Sequence, residues 1–269
     1  MNEHQHLPDF DRLSIVTAMV LLAYSLTAFI QLPERTLNIQ LPGFLFVAKI
    51  NFYTIVSILV AGLAAAGSDW VITSHPHLGE ERRWHHWILP ALTAMVIGVP
   101  LNEISVSAAW WIIFGLGSLL FVGVLVSEYI SVDAADIRFH FASVGLTAVS
   151  LALFLILAIA VRGSGLRLYI VLSAVVPAIA LLSARNLHLR MAGKWPLAWV
   201  GGIALIIGQL SICLFYLPIK PIQYGMILLA LVYALISLAG NNEENMSPAR
   251  IWIEPSLMFS AIFILSFIL

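Results

Sequence analysis

The sequence predicts an all-α fold, a polytopic membrane protein with eight or nine transmembrane helices in one bundle. Of 269 residues, 61% are hydrophobic and 10% are charged, and the mean hydropathy is +0.98. A water-soluble domain of this length cannot cover its surface with so few charges, so lipid must be the solvent for most of the chain. Apolar runs of about 20 residues, the length that crosses a bilayer as a helix, follow one another from end to end. Polar and turn-forming residues collect in the short segments between them.

The first run, 13–32, follows the acidic, histidine-bearing start MNEHQHLPDFDRLS. No small-residue cleavage pattern comes after it, so it reads as a retained span and not a signal peptide. The second, 44–68, contains AGLAAAG at 61–67, whose small residues let helix backbones approach closely. The third, 87–104, carries Pro90 and Pro100, and the fourth, 107–129, opens on Trp110 and Trp111. The fifth and sixth, 140–161 and 167–185, are joined by the turn RGSGLR. The seventh, 197–217, repeats the small-residue pattern in GGIALIIG and carries Gln209, which reads as a hydrogen-bonding group between helices. The eighth is 222–240. After GNNEENMSPAR comes the ninth, 251–269, with Glu254 and Pro255 near its start. If the third or ninth is re-entrant, the count is eight. The runs use most of the chain, so residues 1–269 read as a single integral membrane domain.

Orientation follows from the basic residues between spans. With the N-terminus inside, Arg12, Arg82, Arg83, Arg138, Arg185, Arg190, Lys194 and Arg250 fall on the cytoplasmic side. Arg35, Lys49, Arg162, Arg167 and Lys220 fall on the other. Eight against five predicts a multi-pass protein of the cell membrane with a cytoplasmic N-terminus. The net charge of −1 argues against a nucleic-acid binder, which would carry a basic face. The single cysteine, Cys213, lies in an apolar run, which excludes a disulfide framework and a thiolate cage.

On this topology the ionisable groups are one-sided. All eight histidines fall on the predicted cytoplasmic side, as do most carboxylates. Polar groups near a bilayer are costly unless solvated or paired, so the pattern predicts a polar basin at the cytoplasmic helix ends. Its densest stretch is SHPHLGEERRWHHW, 74–87. Pro76 biases His75 toward an extended backbone, in which His75 and His77 share a side and can meet one ligand. A helical ERRWHHW puts Glu81 and His85 four residues apart on one face. His86 then points about 100° away.

The second stretch is SEYISVDAADIRFHF, 127–141. If helical, it lines up Asp133, Asp136 and His140 on one stripe. Two carboxylates and an imidazole can hold a divalent cation or move protons. The third, ARNLHLR at 184–190, sets His188 one turn from Arg185, a solvated helix end that can contact an anionic headgroup. Asp69 reads as a solvated or capping aspartate, and Glu128 as an interfacial group.

Candidate roles therefore fall to Asp133, Asp136 and Glu81 for catalysis. His75, His77, His85 and His140 are the candidates for a divalent metal, and Arg185 and His188 for headgroup binding. The leading functional reading is a metal-dependent membrane enzyme acting on a lipid or isoprenoid. A nine-span plan with a cytoplasmic acidic site looks like the intramembrane prenyltransferases, but these need two Asp-rich motifs. Here the second loop has only Asp69 as an aspartate and the sixth has no carboxylate. The histidine clusters of di-iron desaturases, HExxH, GxSxG and the P-loop are likewise missing. Two other classes remain: an accessory or structural subunit that docks a membrane-protein partner, and a small-molecule transporter. Against the transporter, no span carries the mid-membrane charges that ion coupling uses. Membrane lipids are expected partners under every reading.

Overall fold

The computed structural model describes residues 8–30, 35–41, 44–50, 52–76, 84–133, 135–191, 195–244 and 246–268. Among them are nine helices and one two-stranded antiparallel ribbon. The helices are α1 (Phe10–Thr27), α2 (Phe52–Ile72), α3 (His85–Glu103), α4 (Ala108–Ile130), α5 (Phe139–Gly163), α6 (Leu168–Arg190), α7 (Leu197–Phe215), α8 (Pro221–Glu243) and α9 (Pro248–Ile268). The strands β1 (Arg35–Leu41) and β2 (Phe44–Ile50) lie between α1 and α2. Eight helices are long and apolar enough to cross a bilayer. The chain is a polytopic helical membrane protein.

One expectation needs correction, and the count of eight that the sequence left open is met. Residues 44–50, read above as the start of a span, form β2, and the second span runs from Phe52 to Ile72. A short apolar run such as FLFVAKI has no periodicity that separates strand from helix. The third run is a continuous 19-residue helix, but α3 is the one described helix that is not among the eight apolar spans. Its lower apolarity has a structural counterpart, because His86, Leu89, Pro90, Thr93, Ala94 and Leu101 are all buried in the protein. A helix sheltered by its neighbours does not need the apolar surface that lipid demands.

The chain forms two compact units, residues 1–139 and 140–269. In the first, α2 packs between α1 and α3, and α3 packs on α4. Tyr24 of α1, 1% exposed, donates its hydroxyl to the Ala94 carbonyl of α3 at 2.5 Å. Proline has no N–H, so Pro90 leaves the carbonyl four residues earlier, that of His86, without its helical donor. Ser68 of α2 fills that place at 3.5 Å. At the far end of α3 the Trp110 indole donates to the Leu101 carbonyl at 3.1 Å, satisfying an orphan carbonyl of the last turn. The small-residue motif of α2 works at Gly67, where a Cβ would collide with Val16 of α1.

In the second unit α6, α7, α8 and α9 pack in sequence, and α6 also reaches α8. Gly208 from the second small-residue motif faces Val176 of α6 closely enough that a Cβ would crowd it. Asn186 of α6 donates to the Ser150 hydroxyl of α5 at 2.8 Å. Helix α9 lies along α8, and only 11% of its apolar window is buried within the chain, against 28–56% for the other spans.

Candidate functional site

The polar groups of the first unit converge at one end of its helices, where α1 and α3 begin and α2 and α4 finish. Asp9 caps α1 by accepting from the Asp11 N–H at 3.0 Å. One turn on, Arg12 donates to the Trp70 carbonyl of α2 at 2.9 Å and to the Thr73 hydroxyl at 3.1 Å. Trp87 of α3 donates its indole N–H to Asp69 of α2 at 3.2 Å. These contacts tie the exposed rim together.

Inside that rim lies a carboxylate–imidazole pair. His86, in the first turn of α3, sits with Nδ1 2.7 Å from Oε2 of Glu128, in the last turn of α4. Glu128 is 0% exposed and His86 5%. The Ser131 hydroxyl reaches the same carboxylate oxygen at 3.3 Å and the Glu128 carbonyl at 2.9 Å. Next to the pair, the His75 ring packs on Tyr129 at 4.7 Å between centroids, and the His85 ring packs on His86 at 4.1 Å. With Glu128 ionised, Nδ1 carries a proton and donates it to the carboxylate. Catalytic carboxylate–histidine pairs use the same arrangement to fix tautomer and orientation.

Sequence reasoning missed both members. The sequence reads Glu128 as an interfacial group, yet it follows a long apolar run inside α4. An ionisable group in a span marks a functional site by default. The sequence turns His86 about 100° away from the face of Glu81 and His85, because adjacent residues of a helix face different ways. The difference in direction is real, but His86 shares a helix face with Pro90, Thr93 and Ala94, all buried. That three-and-four spacing was a legible sign that His86 turns inward.

The predicted residues fall in several places. His75 is buried beside Tyr129, and His85 is partly buried beside His86. His77 and Glu81 lie outside the described residues. Asp133 and Asp136 do not share a helical stripe with His140, because the segment before Phe139 is a series of turns. The reason is local: Asp133 Oδ1 accepts from the Ala135 N–H at 2.9 Å, and Asp136 Oδ1 from the Arg138 N–H at 2.8 Å. Side chains that bond the backbone two residues on stabilise turns at the expense of helix. Asp136 also pairs with the Arg138 guanidinium at 3.3 Å. His140 is exposed on the first turn of α5.

In the second unit, α6 is buried from Leu182 to Leu187. Arg185 is 1% exposed, which corrects the expectation of a solvated helix end at this residue. His188 stacks on Trp195 at 4.2 Å. Arg190 donates to Glu244 at 2.6 Å and to Asn241 at 2.5 Å, clasping the ends of α6 and α8. Its guanidinium lies where a Cβ on Gly240 would be. Trp199 donates to Glu243 at 3.2 Å, and Glu254 accepts from Tyr233 and Ser237 at 3.3 Å each. Most of these charges bind helix to helix.

Among the described residues no three His, Cys, Asp or Glu side chains come together in a metal-holding group. The arrangement does hold an imidazole against a buried carboxylate. No curated protein and no solved structure matches the chain. A family model described as Protein of unknown function (DUF5656) matches residues 32–269, and the chain belongs to that family.

Proposed function

We propose that the protein is a membrane enzyme that performs acid–base chemistry on a lipid or isoprenoid at the bilayer surface, with His86 as the proton-transfer group. The observation that carries this reading is the 2.7 Å contact between His86 Nδ1 and Glu128 Oε2, buried at a helix end in a membrane protein. Burying two ionisable groups is expensive, and replacing such a pair by apolar residues often stabilises a protein. Glu128 holds Nδ1, and Nε2 takes and returns the proton. The surrounding helices expose apolar side chains such as Leu116 and Leu119, so a lipid substrate arrives from the phase it already occupies.

The test compares lipid extracts from cells producing the wild type, His86→Gln or Glu128→Gln at equal levels of folded protein. A lipid class altered by the wild type and by neither variant supports the reading. Identical profiles for all three refute it. The metal-dependent form requires a stoichiometric divalent ion in the purified protein, which elemental analysis reads directly.

The second reading is an accessory subunit with a membrane-protein partner. It is supported by α9, whose apolar window is only 11% buried within the chain. Cross-linking from α9 in native membranes captures a defined partner under this reading, and only lipid under the first. Under both, the protein resides in the cell membrane with its N-terminus cytoplasmic, as the eight-to-five distribution of basic residues supports. Reporter fusions after Leu166 then read extracytoplasmic, and the opposite reading reverses the orientation.

A further inference from the structure

One end of the second unit, where α5 and α7 finish and α6 and α8 begin, carries side-chain charge of a single sign. No Asp or Glu occurs between Asp136 and Glu243, and the acidic residues of the unit are Glu243, Glu244 and Glu254. Glu243 is the last residue of α8 and Pro221 the first, so helix rise separates them by about 33 Å. That is several times the screening length of roughly 8 Å at physiological salt. Glu254 is engaged in the second half of α8, where it accepts from Tyr233 and Ser237. The near end holds Arg162, Arg167 and Lys220.

Arg162 stands half-buried in the last turn of α5. Its guanidinium carbon lies 4.9 Å from the centre of the Phe215 ring and 5.9 Å from that of Tyr224. Tyr224 is wholly buried, and its hydroxyl meets that of Ser211 in α7 at 2.5 Å, which fixes the ring. The Nη2 of Arg162 donates to the Leu217 carbonyl at 3.3 Å. Its Nε is buried and has no partner among the described residues. Helix α5 meets the start of α8 at this corner, because a Cβ on Gly163 would touch Pro221 and one on Gly225 would collide with Ile159. Lys220, exposed, precedes Tyr224 by one turn and shares its side of α8. Aromatic faces stabilise a guanidinium without neutralising it, and its N–H edges still need acceptors.

We propose that Arg162 and Lys220 bind the phosphate of an anionic membrane lipid. The two rings hold the guanidinium in place, its N–H edge bonds the phosphate oxygens, and the ammonium of Lys220 adds a point charge. The end of a spanning helix is the depth at which headgroups lie, so the ligand is already present at that level. Exposed Tyr216 and Leu217 carry the apolar surface up to the same point and give the acyl chains a wall. An anionic headgroup is favoured over a zwitterionic one, because no carboxylate of the unit stands within reach of an ammonium group. All of these groups belong to the second unit, so the site is independent of the His86–Glu128 chemistry.

Native mass spectrometry of the full chain in detergent tests the site, with phosphatidylglycerol and phosphatidylcholine as probes. The wild type should retain one phosphatidylglycerol with a preference of about tenfold or more over phosphatidylcholine, the scale of one hydrogen bond between charged groups. Arg162→Gln should abolish the preference and Lys220→Gln should weaken it. Arg162→Lys keeps the charge but loses the planar fork, and should fall between the wild type and Arg162→Gln. If Arg162→Gln does not fold, Arg162→Lys and Lys220→Gln decide, since both must weaken the preference. A wild type that does not discriminate between the lipids overturns the proposal, as does a preference that the folded variants leave unchanged. Displacement of phosphatidylglycerol by millimolar inorganic phosphate also overturns it, because the site then takes a soluble anion.

Discussion

Removing the Glu128 carboxylate should cost more than the loss of one hydrogen bond. The oxygen 2.7 Å from His86 is also approached by Ser131 at 3.3 Å, and Glu128 is wholly buried. Glu128→Ala leaves an imidazole and a hydroxyl facing a cavity that neither can fill. Breaking a buried pair from one side costs about 3–5 kcal/mol. Glu128→Gln keeps the shape and one acceptor oxygen but loses the charge. A hydrogen bond to a charged group is worth about 1.5–3 kcal/mol and a neutral one about 0.5–1.5, so Gln should cost roughly 1 kcal/mol. Changing both Glu128 and His86 to leucine removes both polar groups together and should recover much of the loss. Equilibrium unfolding in mixed micelles of the wild type, Glu128→Ala, His86→Ala and the double alanine variant supplies the four free energies of a double-mutant cycle. A coupling of about 2 kcal/mol or more is expected, within the range found for residues that share a polar network. Simple additivity of the Glu128→Ala and His86→Ala effects would refute the reasoning, since the two side chains would then be energetically independent.

Three further outcomes follow from other contacts. Tyr24→Phe deletes the hydroxyl that serves the Ala94 carbonyl in the buried core and should destabilise the first unit by about 1 kcal/mol, the net worth of a typical internal hydrogen bond, read by the same unfolding assay. Gly240→Ala should destabilise the wild type, because its Cβ would overlap the Arg190 guanidinium. In an Arg190→Ala background the same change should be neutral or stabilising, since alanine is the better helix former by about 1 kcal/mol. Asp136→Asn should weaken the turn before α5 and its contact with Arg138, raising amide exchange at 136–139 by mass spectrometry while any bound metal stays at the wild-type level.

The membrane fold was legible because spanning a bilayer forces a long apolar helix, a signal that composition and run length both carry. The strands were less so. FLFVAKI reads equally as the start of a helix, although the alternation in RTLNIQL and the Pro-Gly between the two segments are the marks of a ribbon. At the candidate site, the buried pair on which the proposed function rests is not among the residues that the sequence singled out. Of the residues that the sequence points to, His85 packs on His86 and His75 on Tyr129, yet the pair itself is His86 with Glu128. Two residues separated by 42 positions announce nothing by spacing. Helix phase placed His86 inward, but only packing reveals that Glu128 is the group waiting there. Asp133 and Asp136 failed for the opposite reason: their spacing suits a helical stripe, and their side chains favour the turns that prevent one.

Helix α3 has a consequence for how the protein is made. It holds Pro90, Pro100, Asn102 and Glu103 and starts on two histidines. Charged residues are among those that insertion machinery transfers into lipid least readily. Alone in a bilayer, α3 would face hydrocarbon with a proline-freed carbonyl and an imidazole that the folded protein assigns to Ser68 and Glu128. Its entry into the membrane is therefore coupled to the helices on either side. It can use α2, already synthesised, as its first shelter, and it is completed only when α4 emerges with the carboxylate. With Thr93, buried in the folded protein, changed to cysteine, a chain truncated before Glu128 should react with aqueous thiol reagents, and extension through Ile130 should protect it.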